Sequence, residues 1–174
     1  MRFKALLAMA AMLPLTATQA DEKVLKVELV SFQEVPALST GGSGEFRARI
    51  SNDGSEIRYE LTYDGLTASP TQAHIHFGQK SVNGGISAFL CTNLGNAPAG
   101  VVTQACPAQP GLITGTLTAA DVIGPAGQGI VAGELAELIS AIRAGAAYVN
   151  VHTVAFPGGE IRSQLGGHGH GHDH

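Results

Sequence analysis

Positive charge is scarce in this chain, with 10 Lys and Arg against 14 Asp and Glu and a formal charge of −4. A mildly acidic surface argues against nucleic acid or an anionic membrane as the main partner. Tryptophan is absent, and only 3 Tyr and 6 Phe supply aromatic rings. No Gly-x-Ser-x-Gly elbow is present, so a hydrolase of that type is excluded. The 23 glycines form no phosphate-binding loop and read as turn formers. Beyond the first twenty residues no apolar run approaches the roughly 20 residues of a membrane-spanning helix. With neither a nucleophilic triad nor an evident carboxylate pair, an enzyme is the weaker reading.

What is there begins with "MRFKALLAMAAMLPLTATQA". Arg2 and Lys4 precede an apolar run, and Thr18-Gln19-Ala20 offers small residues for cleavage. Residues 1–20 read as a secretory signal, leaving an exported chain, periplasmic or secreted. Its loss moves the formal charge from −4 to −6. The only two cysteines, Cys91 and Cys106, fit an oxidising compartment. Their disulfide would close a loop of 14 intervening residues, a constraint of roughly 3 kcal/mol in the chain-entropy picture.

Between these landmarks, short period-two runs alternate with turn formers. "VLKVELV", "GEFRARIS" and "EIRYELTYDGL" read as strands, the last two joined at Asn52-Asp53-Gly54 as a hairpin. "TQAHIHFG", "GISAFLC" and "GLITGTLT" follow, and "AAYVNVHTVAFPGGEIRSQL" reads as two strands joined at Pro157-Gly158-Gly159. One segment breaks the period. Leu135, Leu138, Ile139 and Ile142 recur at helical spacing, with Gly145 placed to end the helix. A further turn of helix is expected at Thr118, with Asp121 closing a capping box. The sum is an all-β fold, an antiparallel immunoglobulin-like or Greek-key β-sandwich or barrel with one short helical excursion. It is expected over residues 21–165. Residues 166–174, alternating Gly and His, lack apolar groups to bury and read as a disordered tail.

The seven histidines are not scattered. His74 and His76 lie two apart on one strand, so their rings share a face, and His152 lies on a later strand. Three imidazoles can supply three nitrogens to copper or zinc. The alternative ties each ring to a backbone carbonyl or a carboxylate, with Glu160 or Asp64 as partner. In the tail, His168, His170, His172 and His174 bind Cu(II), Ni(II) or Zn(II) by composition alone. Glu160 and Arg162, also two apart, read either as an exposed charged strand edge or, if buried near the histidines, as groups orienting an imidazole N–H.

The motifs "FQEVPALSTGGSGEFRARI", "IRYELTYDGLTASPTQAHIHFG", "FLCTNLG…CP" and "AGAAYVNVHTVAFPGGEIRSQL" resemble those of the CHRD (chordin-type) family from about Val27 to Leu165. Ala37 and Ser163 stand where that family often has proline and glycine. The resemblance implies an immunoglobulin-like or barrel-like β domain, here as a stand-alone exported member. It carries the family motif onto His74, His76, His152, Glu160 and Arg162. Because chordin's repeats belong to an extracellular protein that binds growth factors, the resemblance also implies an extracellular protein partner. A looser likeness to copper–zinc superoxide dismutase puts His74, His76 and His152 in the place of copper ligands. No further histidine outside the tail can serve as the bridging ligand, and no zinc cluster accompanies them. Three functions therefore stand open: an exported binder of a transition metal, a metal-free interaction module, and a copper-dependent redox enzyme.

Overall fold

The computed structural model describes residues 24–166. The expected signal over residues 1–20 and the tail histidines His168, His170, His172 and His174 lie outside them.

Eight strands follow one another as β1 (Val24–Val30), β2 (Ser43–Ile50), β3 (Ile57–Asp64), β4 (Pro70–Phe77), β5 (Gly85–Thr92), β6 (Gly111–Leu117), β7 (Ala147–Thr153) and β8 (Ile161–Leu165), with helix α1 (Leu135–Arg143) before β7. They form one antiparallel sheet in the order β5-β4-β7-β8-β1-β2-β3-β6, curled into a nearly closed barrel. The barrel alternative of the sequence reading, and not two separate sheets, is thus the architecture. The β2–β3 hairpin forms where Asn52-Asp53-Gly54 places it. Asp53 Oδ1 accepts hydrogen bonds from the Ser51 hydroxyl at 2.7 Å and the Ser55 amide at 3.0 Å, and Gly54 takes φ +70°. These donors favour the ionised carboxylate and hold the Asp53 pKa at about 2.

The two sheet edges, β5 and β6, are bridged by the cysteine loop. Gln104 accepts from the Thr92 amide at 2.9 Å through its carbonyl and donates to the Thr114 carbonyl at 3.0 Å through its side chain. Beside it Cys91 and Cys106 are joined as a disulfide, their Cα atoms 5.0 Å apart. Edge strands left open invite pairing with other chains, and this segment blocks that. The helix buries Leu135, Leu138, Ile139, Ala141 and Ile142 in the barrel core. It ends in a Schellman motif. Ala146 N–H reaches Ala141 O at 2.9 Å and Gly145 N–H reaches Ile142 O at 3.1 Å, with Gly145 at φ +70°. At Thr118 the expected turn is present, its amide and hydroxyl both donating to Asp121. Among the described residues no helix is long and apolar enough to cross a membrane.

Inside the barrel, alternate residues of every strand meet: Phe46, Tyr59, Leu61, Ile75, Val149, Val151 and Ile161 among them. The outward residues divide the molecule. On β2 and β3 they meet solvent, whereas β7 is buried along its whole length. The second face of β4, β7 and β8 is covered by the segments following β1, β4 and β7.

Candidate metal centre

The register sets the candidate residues side by side. His76 pairs with Tyr148, His74 with Asn150 and Gln72 with His152 across β4 and β7, and Asn150 pairs with Arg162 across β7 and β8. Because side chains alternate, Tyr148, Asn150 and His152 all point away from the core, toward His74 and His76. The pairing of β4 with β5 shifts register at Ala73/His74 and again at Ile75/His76. Such bulges re-aim side chains, and here they flank both histidines.

His74, His76 and His152 are 0%, 7% and 6% exposed. One nitrogen from each can be chosen so that all lie within 4.8 Å of one another. His74 Nδ1 is 3.2 Å from His152 Nε2. That is close to the separation of two tetrahedral zinc ligands, about 3.3 Å for bonds of about 2.0 Å. The other nitrogens fix the rings. His76 Nδ1–H donates to the Gly84 carbonyl at 3.0 Å, and His152 Nδ1–H to the Pro157 carbonyl at 2.8 Å. Both rings thereby present a bare Nε2 inward, the tautomer a ligand needs. His74 Nε2 and His76 Nε2 have no hydrogen-bond partner among the described residues. Burial, with smaller contributions from His152 and His76, pushes the pKa of His74 down to about 2. Burial likewise holds His76 at about 4 and lowers His152. All three rings are neutral at physiological pH, free of the proton that would compete with a metal.

Glu160 and Arg162 are 0% and 1% exposed, which overturns their reading as an exposed strand edge. Neither takes the expected orienting role by a direct bond to an imidazole. Glu160 Oε1 accepts from the Thr67 amide and hydroxyl, both at 2.8 Å, and Oε2 from the Thr153 hydroxyl at 2.8 Å. The carbonyls of Gly84 and Pro157 orient the rings instead. Asp64, the other carboxylate considered, accepts from the Gly65 amide. Arg162 stacks its guanidinium 3.4 Å over the Tyr148 ring, which lies parallel to His76 with centroids 4.6 Å apart. It also donates to Asn83 Oδ1 at 3.1 Å and the Val82 carbonyl at 2.7 Å, pinning the covering loop.

Three participants escaped the sequence reading. Tyr148 and Asn150 share the face of His152 by the same period of two that paired His74 with His76, so the signal was present in "YVNVHT". Asn150 Oδ1 lies 3.0 Å from His152 Nε2. Glu34, from "QEVP", carried no such signal, because a loop brings it over the site. It is 5% exposed, and burial raises its pKa against the opposing effects of Arg162, the Val35 backbone and Asn150. Although the Asn150 amide is close enough to lower that pKa, Glu34 Oε1 itself has no donor in bonding geometry among the described residues.

The sequence model of the CHRD domain matches residues 25–165. The chain belongs to the CHRD domain family. No curated protein and no solved structure matches it significantly. Within this CHRD domain the "AHIH", "YVNVHT" and "GGEIR" motifs meet on the buried second face of one half of the barrel. A groove lined by Glu28, Glu45, Tyr63 and Leu112 lies elsewhere and includes none of the histidines.

Proposed function

We propose that this CHRD domain is an exported binding protein that holds a transition-metal ion, copper or zinc, through His74, His76 and His152. The observation that carries the reading is the convergence of three buried, neutral imidazoles within 4.8 Å, two of them oriented by backbone carbonyls on their far nitrogens. The signal-like residues 1–20 and the disulfide support export to the periplasm or beyond. The tail histidines His168, His170, His172 and His174 capture metal weakly and raise its concentration near the barrel.

A second reading is a metal-free extracellular interaction module, with an extracellular protein as partner. It is favoured by two exposed apolar side chains, Phe32 at 70% in the segment after β1 and Val154 at 67% in the segment after β7 that His152 tethers at Pro157. The third, a copper-dependent redox enzyme resembling superoxide dismutase, requires a coordination position open to a cleft. Nothing in the deep burial of the three rings favours it.

Metal content and affinity of the chain ending at Leu165 separate these readings. Copper or zinc bound at one equivalent, and lost in His74→Ala and His152→Ala, is the expected result. Binding no stronger than background would leave the interaction module.

A further inference from the structure

Asn150 is 2% exposed, with its Oδ1 at His152 and its Nδ2 on the side of Gly159 and Glu34. A Cβ placed on Gly159 would lie 2.3 Å from Glu34 Oε1 and 2.7 Å from Asn150 Nδ2, so the carboxylate and the amide nitrogen both border that glycine. A carboxylate attracts an amide N–H and repels an amide oxygen, so the neighbouring Glu34, though not in bonding geometry, favours the amide with Oδ1 toward the rings. There Oδ1 stands 3.0 Å from His152 Nε2. Because His152 carries its proton on Nδ1, bonded to Pro157, Nε2 is an acceptor too. Two acceptors facing each other at this distance repel unless positive charge joins them. His74 Nδ1, 3.2 Å from the same Nε2, can offer one proton, but it leaves Oδ1 without a donor from the rings.

We infer that Asn150 Oδ1 is the fourth ligand of a closed, zinc-type divalent site completed by His74, His76 and His152, with Glu34 orienting the amide. The inference rests on the metal-binding reading above. Three imidazoles and one oxygen suit a tetrahedral zinc ion, and a four-residue protein set leaves no position for substrate. The amide oxygen is a harder donor than the sulfur ligands that select Cu(I). The bound ion is therefore a resident of the fold and not a reaction centre. Glu34 supplies negative charge beside it, where a buried cation needs compensation.

The test uses the chain with His168, His170, His172 and His174 replaced by serine, titrated with Co²⁺ as a visible probe and with Zn²⁺. The unsubstituted barrel should bind one equivalent with the intense absorption of four-coordinate Co²⁺. Asn150→Ala should weaken binding more than about tenfold, the lower end of what even outer partners contribute, and should shift the bands. Glu34→Gln should weaken binding with the band positions kept. A folded Asn150→Ala with unchanged affinity and bands overturns the fourth ligand while leaving a three-histidine site standing. Failure of the unsubstituted barrel to bind either metal sinks the metal reading itself, and this inference with it. If Asn150→Ala does not fold, ¹³C-labelled asparagine in the unsubstituted barrel decides. The Asn150 carboxamide carbon should move on adding Zn²⁺, and an unmoved signal overturns the assignment.

Discussion

The two halves of the barrel share one sheet and one core yet treat their outer faces in opposite ways. On β2 and β3 the outward positions are charged and wet. Glu45 pairs with Lys26 at 2.9 Å and with Arg47, and Glu56 pairs with Arg58. On β4, β7 and β8 the outward positions include His74, His76, Tyr148, Asn150, His152 and Arg162, none more than 7% exposed, with Gln72 and Gln164 half-buried at the margins. Exposed ion pairs contribute little, because water solvates each partner nearly as well. Buried polar groups are expensive to leave without partners, and a fold that only needed stability would place apolar side chains there. The difference teaches where to look for function: the wet face is ordinary surface, and the dry face carries the nitrogens and oxygens on which the proposed metal site rests.

Substitutions that exchange the fates of the two faces should separate them clearly. Glu160→Ala removes the acceptor of three hydrogen bonds from a fully buried position, leaves the Thr67 and Thr153 donors unsatisfied, and should cost about 3–5 kcal/mol in urea unfolding. Its counterpart on the wet face, Arg47→Ala, should cost less than about 1 kcal/mol. Equal losses would erase the distinction.

Acid should act on the dry half next. The folded pKa values of His74 and His76, about 2 and about 4, lie below the ordinary 6.5, so the unfolded chain binds more protons between them. The stability of the metal-free protein is therefore fully present above pH 6.5 and falls as pH drops toward 4. Each ring contributes up to about 1.4 kcal/mol per pH unit. Glu34, whose pKa is raised, acts in the opposite sense above its ordinary 4.5 and offsets part of this. Chemical denaturation at several pH values checks the slope, and a flat profile from pH 7 to 5 would contradict the burial of neutral rings. A smaller effect is expected at Gly159, whose φ of +123° and contact with Glu34 leave no room for a side chain. Gly159→Ala should lose about 1–3 kcal/mol in the same assay, a cost that follows from backbone strain.

How far the sequence could be read follows the same division. The β2–β3 hairpin was legible because one face of each strand is solvated, so apolar and charged residues alternate visibly, and the helix showed itself through Leu135, Leu138, Ile139 and Ile142. On β7 alternation exists but separates apolar from uncharged polar residues, both buried. His152 drew notice while Asn150, two residues earlier, did not. For Glu160 and Arg162 an exposed edge stood open beside the orienting role, because charge usually means water. Only the covering loops, which carry Glu34, Asn83 and Gly159 over the sheet, make these residues interior. Loop placement depends on long-range contacts such as the 2.9 Å bond from Asn83 to the Val35 carbonyl, which no local pattern encodes.

The most direct test observes the imidazole nitrogens themselves. Long-range ¹H–¹⁵N NMR of the chain lacking tail histidines should show His74, His76 and His152 neutral at pH 7, with His76 and His152 protonated on Nδ1. One equivalent of Zn²⁺ should then shift Nε2 of both rings together with one nitrogen of His74. Rings that stay unmoved by Zn²⁺ and Cu²⁺ would contradict the account and make this buried face a structural one.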